Sequence, residues 1–280
     1  MSETKFTPSD ASQPGSTTDA PLVVVVVPTY NEADNLPAIT AALLALPLAN
    51  LKVVVVDDAS PDGTGAIADR LVTHNPGRIR VIHRQPPRGL GRAYQAGCRL
   101  ALEMGAQFVI QMDADFSHSP DDVPRLLEAA SDADVVIGSR YVDGGTLDRD
   151  WNWWRRFLSW WANTVWTQTF LQLSVKDATA GFKCWRRAAL EGINLDRIKS
   201  NGYVFQVETI YVAEQLGYRV LEIPIFFEDR RLGRSKMTFG VKLEAAWRVF
   251  EIRTRHHGIH RQVPAVAPSS YPNQPHTENS

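Results

Sequence analysis

The stretch Phe108-Val109-Ile110-Gln111-Met112-Asp113-Ala114-Asp115 sets a largely apolar run directly before two acids. A run of this kind reads as a strand buried on both faces of a parallel sheet, and such sheets bind ligands beyond the carboxyl ends of their strands. The two carboxylates therefore stand where an α/β protein places its chemistry. Alternate residues of an extended segment point the same way, so aspartates spaced i, i+2 can aim at one hard cation. A diphosphate bound beside them would add oxygen ligands to Mg²⁺ or Mn²⁺. Asp-x-Asp also occurs in solvated turns at strand ends, so the surrounding segments decide.

Working outward, Leu22 to Val27 and Val53 to Val56 are β-branched runs bounded by turn residues, each followed by a segment of helical spacing. Arg80 to His83, Gln107 to Met112 and Val135 to Ile137 continue the series as strands three to five. Helices are expected over Ala33–Leu46, Gly65–His74, Leu90–Met104 and Asp121–Ala130, the last with Ser119 as cap and Pro120 at its first position. Strand-helix alternation specifies an α/β domain with a mostly parallel sheet covered on both faces. After strand one, Pro28-Thr29-Tyr30-Asn31-Glu32 stands where a dinucleotide-binding protein carries Gly-x-Gly-x-x-Gly, and the chain has no P-loop sequence. Hydride transfer and P-loop phosphotransfer are disfavoured.

The chain has 280 residues, 44% hydrophobic and 22% charged, enough for one large α/β domain. A net charge of -1 gives no bulk basic bias toward nucleic acid. Cys98 and Cys184 show no metal or disulfide spacing, which suits a reducing cytosol. Met1 to Ala20 and Gln262 to Ser280 are polar and proline-rich, and both are expected to be disordered tails. The domain is expected over residues 21–240, followed by an amphipathic helix over 241–261.

Each strand end offers a defined chemistry. Pro-Thr-Tyr-Asn-Glu supplies an aromatic face for a base and a carboxylate for ribose or base donors, or else a turn with a helix cap at Asn31. Val56-Asp57-Asp58-Ala59-Ser60-Pro61-Asp62-Gly63-Thr64 presents a carboxylate to a nucleobase edge or ribose hydroxyls, with Asp62 accounted for by an Asx turn. Arg88-Gly89-Leu90-Gly91-Arg92-Ala93 reads as a tight strand-to-helix turn.

Pro-Thr-Tyr-Asn-Glu, Val-Asp-Asp-x-Ser-x-Asp-Gly-Thr and Asp-Ala-Asp, in that order on successive strands, resemble the inverting nucleotide-sugar glycosyltransferases of the A-type fold. Gly138-Ser139-Arg140-Tyr141, the run Asp177 to Phe182, Gly202-Tyr203-Val204-Phe205-Gln206 and Asp229 to Lys236 extend the likeness to dolichyl- or polyprenyl-phosphate mannose synthases. The resemblance spans nearly all of residues 22–240, and Arg-x-x-Gly-x-Ser-Lys (Arg230 to Lys236) is its most discriminating part. It implies a single Rossmann-like A-type domain with amphipathic interface helices, and transfer of mannose from GDP-mannose to dolichyl or polyprenyl phosphate. UDP-glucose is the rival donor. Carried over by position, it implies that Pro28, Tyr30, Glu32 and Asp57 or Asp58 bind guanosine, while Asp113, Ala114 and Asp115 take the metal and donor. Ser117 stands where relatives often have a metal-binding glutamine, and Arg140, Arg230 and Lys236 match phosphate-binding positions. The catalytic set so implied is Asp115, Arg140, Arg230 and Lys236.

Six of the eight tryptophans lie between Trp151 and Trp166. There Asn152, Arg155, Arg156, Ser159, Asn163 and Thr167 form one polar helical face within an expected interface helix over about 151–172. Trp with Arg suits the headgroup level of a membrane. From Phe239 to His260, Trp247, Phe250 and Ile252 alternate with Lys242, Arg248, Arg253 and Arg255, cations for anionic lipid or a solvated face. No apolar run is long enough to span a bilayer, so the expectation is a peripheral protein on the cytoplasmic face of a membrane, held there by its own helices or by an anchoring partner subunit.

Overall fold

The computed structural model describes residues 20–147, 167–228 and 248–259. The expected tails, most of the Trp-rich helix, and residues 229–247 with Arg230 and Lys236 lie outside the described residues. Strands β1 (Val23–Thr29), β2 (Leu51–Asp57), β3 (Ile79–His83), β4 (Phe108–Gln111) and β5 (Val135–Ser139) fall on the five apolar runs. Helices α1 (Leu36–Leu44), α2 (Thr64–His74), α3 (Leu90–Glu103) and α4 (Val123–Ala129) fall on the four helical segments. Ser119 accepts from Asp121 N, and a short 3-10 turn over Pro120–Asp122 leads into α4.

β1 pairs in parallel with β2 on one side and β4 on the other, with Thr29 opposite Asp57 and Val26 opposite Gln111. This register brings the carboxyl ends of the three strands to one rim. Because alternate residues face opposite ways, Val24 and Val26 pack under α3, while Val23, Val25 and Val27 pack under α1 and α4. With β7 (Lys183–Arg186) and β8 (Val220–Pro224), the sheet has seven strands in the order β3-β2-β1-β4-β7-β5-β8. β6 (Thr146–Leu147) pairs separately with β9 (Phe226–Phe227).

The strand inserted between β4 and β5, β7 (Lys183–Arg186), is antiparallel to both, whereas β8 (Val220–Pro224) is parallel to β5. The amino end of an antiparallel strand lies beside the carboxyl ends of its neighbours, and Lys183 is paired with both Gln111 and Ile137. The preceding run Asp177 to Phe182 is thereby delivered to the same rim as Asp113.

Four further helices complete the described chain, three before β8, α5 (Thr167–Leu171), α6 (Arg187–Gly192) and α7 (Val204–Leu216), and one at its end, α8 over 248–255. Val249 and Ile252 of α8 are buried in the α3/α7 face of the core. Its cations are committed to protein partners: Arg253 Nη1 donates to the Phe170 carbonyl (3.0 Å), and Arg255 Nη1 to Glu208 Oε1 (2.7 Å). Phe250 stacks edge-on against Phe170 (5.0 Å between centroids) and is 40% exposed, so the described ends of the two amphipathic segments meet.

Glu208 is the pin for α8. Its carboxylate also accepts from His256 (2.8 Å), Ser200 N (2.7 Å) and Lys199 N (3.1 Å). Burial acts to raise its pKa, but the bonds from His256, Ser200 and Arg255 outweigh burial and bring it from 4.5 down to about 2. A depressed carboxyl pKa contributes stability that is fully present above 4.5 and is lost as pH falls through about 2. Glu208→Gln should cost about 2 kcal/mol at neutral pH and flatten the acid limb of a urea-midpoint titration from pH 6 to pH 3. Equal slopes for parent and variant would contradict this assignment.

Candidate active site

The rim has two sides, one built by the loops after β1 and β2 and one by the segment after β4. On the first, Tyr30 follows β1 and is covered by Arg88, whose guanidinium lies 4.7 Å above the ring and donates from Nη1 to the Tyr30 hydroxyl (3.1 Å). Arg88 also donates to the carbonyls of Asp58 (3.1 Å) and Ala59 (3.0 Å), tying the β1 and β2 loops together. Asp57 and Asp58 diverge, as successive residues of a strand do. Asp57 accepts from Ser60 N (3.4 Å) and Thr29 Oγ1 (3.5 Å), and a Cβ on Gly65 would sit 3.0 Å from its Oδ2, so it is spent on the turn into α2. Asp58 pairs with Arg84 and accepts from Gly89 N (2.6 Å), at the start of α3.

Glu32 accepts from Asn35 Nδ2 (2.8 Å), and its N–H donates to Thr64 Oγ1 (3.0 Å). Helix α1 begins after Asn35, not at Asn31, because Asn31 adopts a left-handed backbone (φ 60°). Asp62 accepts from Ala33 N and from Thr64 N and Oγ1, the expected Asx turn. Pro28 is buried in β1 opposite Val56 and shapes the strand end rather than offering a surface.

On the β4 side, Asp113 and Asp115 leave the end of the strand with Ala114 buried between them. Tyr94 of α3 donates its hydroxyl to Asp113 Oδ1 (2.8 Å). Burial, then the Asp113 charge, push the Tyr94 pKa well above its ordinary value, so the phenol keeps its proton. Ser117, expected as a third metal contact, turns its hydroxyl onto Asp115 Oδ1 (2.6 Å) and adds its N–H at 3.1 Å. The return is made by Phe116 at φ 60°, a left-handed conformation that costs a non-glycine residue about 1–2 kcal/mol. Asn31, Ala59 and Phe116 place such a residue after each of the three strands that build the rim.

Gly181 closes the β4 side. A Cβ there would lie 3.3 Å from Asp113 Oδ2 and 3.5 Å from His118, so glycine keeps the approach to the Asp113 face open. His118 is buried, stacked on Phe182 (5.1 Å) and edge-on to Phe227 (5.5 Å). Burial lowers its pKa against the opposing pull of Asp113 and Asp115, which keeps the ring neutral. Two oxygen donors, with a cradle that a side chain at 181 would fill, suit a hard divalent cation. Among the described residues no cluster of three His, Cys, Asp or Glu would hold one unaided.

Arg140, expected at phosphate, forks onto Asp177: Nε to Oδ2 at 2.8 Å and Nη2 to Oδ1 at 2.7 Å, with Arg140 N also on Oδ2 (3.0 Å). Nη2 reaches Thr179 Oγ1 as well (2.9 Å), and Glu222 accepts from Lys176 N and Asp177 N. Burial opposes the charge on Arg140, but Asp177 outweighs it and holds the guanidinium pKa above its ordinary value. Arg140 therefore acts as the anchor of the loop that brings Gly181 to Asp113. Its side chain is 12% exposed and that of Asp177 is 0%. Arg230 and Lys236 lie outside the described residues. Sequence reasoning missed Tyr94, Arg84 and Arg88 as site residues. Tyr94 and Arg88 carry a signal only once α3 is known to lie across the rim.

The comparisons with known proteins agree with this architecture. A family model described as Glycosyl transferase family 2 matches residues 24–193. A polyprenol monophosphomannose synthase of Mycolicibacterium smegmatis is 45% identical over 230 residues, 81% of this chain and 85% of that protein. An undecaprenyl-phosphate mannosyltransferase of Micrococcus luteus is 45% identical over 223 residues, 80% of this chain and 90% of that protein. A solved mannosyltransferase from Pyrobaculum calidifontis, in complex with GDP-Man and Mn²⁺, shares the fold with a TM-score of 0.55 at 20% identity, covering 81% of this chain and 62% of that one.

Proposed function

The chain belongs to glycosyl transferase family 2, and from that premise we propose that it transfers mannose from GDP-mannose to the phosphate of a polyprenyl or dolichyl phosphate, inverting the anomeric centre. The observation that carries the reading is the 45% identity, over four-fifths of the chain, to two enzymes named for mannosyl transfer onto polyprenol phosphates. The rim supports it, because it sets the Tyr30 aromatic face after β1 and the Asp113/Asp115 carboxylate pair after the neighbouring β4 on one strand-end edge.

Asp113 and Asp115 would hold Mg²⁺ or Mn²⁺, the remaining oxygens coming from the donor's diphosphate and water. Such a cation, when bound, supplies positive charge to the departing nucleoside diphosphate. Tyr94 and Ser117 keep the two carboxylates oriented before substrate arrives, so no reorganisation is needed during reaction. Tyr30 under Arg88 offers a flat, polar-edged surface for the base, and Asp58, held by Arg84 and Gly89 N, a carboxylate for base or ribose donors. Arg140 contributes through the loop it anchors, while Arg230 and Lys236 remain the proposed contacts of the acceptor phosphate.

No side-chain base is required. A phosphomonoester is already largely dianionic near neutral pH, with a second pKa of about 6. One of its oxygens attacks the anomeric carbon as the bond to the diphosphate oxygen breaks, and that oxygen leaves with the electron pair. An α-linked donor so yields a β-linked mannosyl phosphate. Among the described residues no helix is long and apolar enough to cross a membrane. The lipid tail of the acceptor would be met at the cytoplasmic surface by the amphipathic segments, of which Phe170 and Phe250 are the described ends, alone or with an anchoring partner subunit.

The acceptor assignment is tested by offering a polyprenyl phosphate and the corresponding polyprenol. Product should form only on the phosphate, and the rate should fall as pH drops below about 6, following acceptor protonation. Equal transfer to the alcohol would require a base that this site is not proposed to contain.

A further inference from the structure

A second basic site lies away from the rim. A cavity of about 390 Å³ opens where α8 crosses the segment between α6 and α7, and Arg197, Arg255, His256 and His257 line it. None of these residues belongs to the β1, β2 or β4 loops.

Its charges are unevenly answered. The Glu208 carboxylate is fully used, accepting from Arg255, His256, Ser200 N and Lys199 N. Arg255 is further shared with Glu251 (3.7 Å). Nothing is left for Arg197: its Nη1 is buried and has no hydrogen-bond partner among the described residues. Native structures rarely leave a buried donor unpaired, and Arg197, which lines the cavity with no hydrogen-bond or ion-pair partner shown for its guanidinium among the described residues, suits an anion with several acceptor oxygens. His257, exposed on the same lining, adds an imidazole N–H donor.

We propose that this cavity binds a phosphate group. Guanidinium forks and imidazole N–H groups match tetrahedral phosphate oxygens, and the volume exceeds what a single phosphate fills, leaving room for a substituent. Two sources share that chemistry: free phosphate or a phosphomonoester in solution, and an anionic phospholipid headgroup presented near exposed Phe250 on the same helix.

The test uses the full chain with EDTA present, so that Asp113 and Asp115 carry no metal. Inorganic phosphate is titrated at fixed ionic strength and followed by the thermal unfolding midpoint, and flotation is measured with phosphatidylglycerol against phosphatidylcholine vesicles. If free phosphate is the ligand, the midpoint rises saturably, and Arg197→Gln weakens the apparent affinity by about tenfold. If a headgroup is the ligand, phosphate has no effect, and flotation with phosphatidylglycerol falls in Arg197→Gln. His257→Glu, at an exposed position that does not endanger folding, should reproduce either loss. Parent and both variants behaving alike in both arms would overturn the proposal.

Discussion

Asp115→Ala should lower turnover by about three orders of magnitude or more, because the carboxylate that would carry the divalent cation is worth several kcal/mol at the departing diphosphate. Fold and core should survive. Asp115 sits beyond the last paired residue of β4, and its loss leaves the Ser117 N–H and hydroxyl to find other acceptors, a cost of about 1–3 kcal/mol. Asp115→Asn separates charge from shape: the amide oxygen still accepts from Ser117, so stability should change less than in the alanine variant while turnover falls nearly as far. Circular dichroism, urea unfolding and single-turnover kinetics with Mg²⁺ or Mn²⁺ check both halves. Substantial activity in Asp115→Asn would detach the metal from this carboxylate.

Asp177→Ala should be the most damaging single change to stability, at about 3–5 kcal/mol, the range expected when one partner of a buried ion pair is removed. Asp177 is fully buried and takes three bonds from Arg140, whose guanidinium would be left charged without a carboxylate, meeting only the Thr179 hydroxyl and the Tyr141 and Phe227 rings among the contacts described. The effect should extend to catalysis, since the loop released by the break carries Gly181 against Asp113. Thr179→Val removes one bond and should cost about 1 kcal/mol with little change in turnover. The comparison is read from urea midpoints together with kcat. An Asp177→Ala midpoint close to that of Thr179→Val would mean that the fork onto Arg140 contributes little.

What the sequence made legible was the rim. The Val23–Val27 and Val53–Val56 runs are buried on both faces and can be nothing but central strands, and the acids that follow them are placed by that fact alone. β7 was not legible: Lys183-Cys184-Trp185-Arg186 mixes charge with bulk. Lys183 is tolerated in the sheet because Gln206 supplies its backbone and side-chain oxygens at 3.0 and 2.8 Å, while burial drives its pKa well below the ordinary value. Nor was α7 marked, since it is buried nearly all round and shows no polar face to set its period. Arg140 was legible as a basic residue near the site, yet its partner lies 37 positions away, and only β7's reversed direction brings the two together. Ser117 was read by analogy with a glutamine. Its hydroxyl and N–H brace the Asp115 carboxylate, a local contact that the analogy does not supply.

The central claim is the identity of donor and acceptor. The chain should be given radiolabelled GDP-mannose, UDP-glucose and UDP-N-acetylglucosamine in parallel, each with a short polyprenyl phosphate and Mg²⁺ or Mn²⁺. The account predicts label in the lipid fraction from GDP-mannose alone, as a β-linked mannosyl phosphate; transfer of glucose with no transfer of mannose would contradict it.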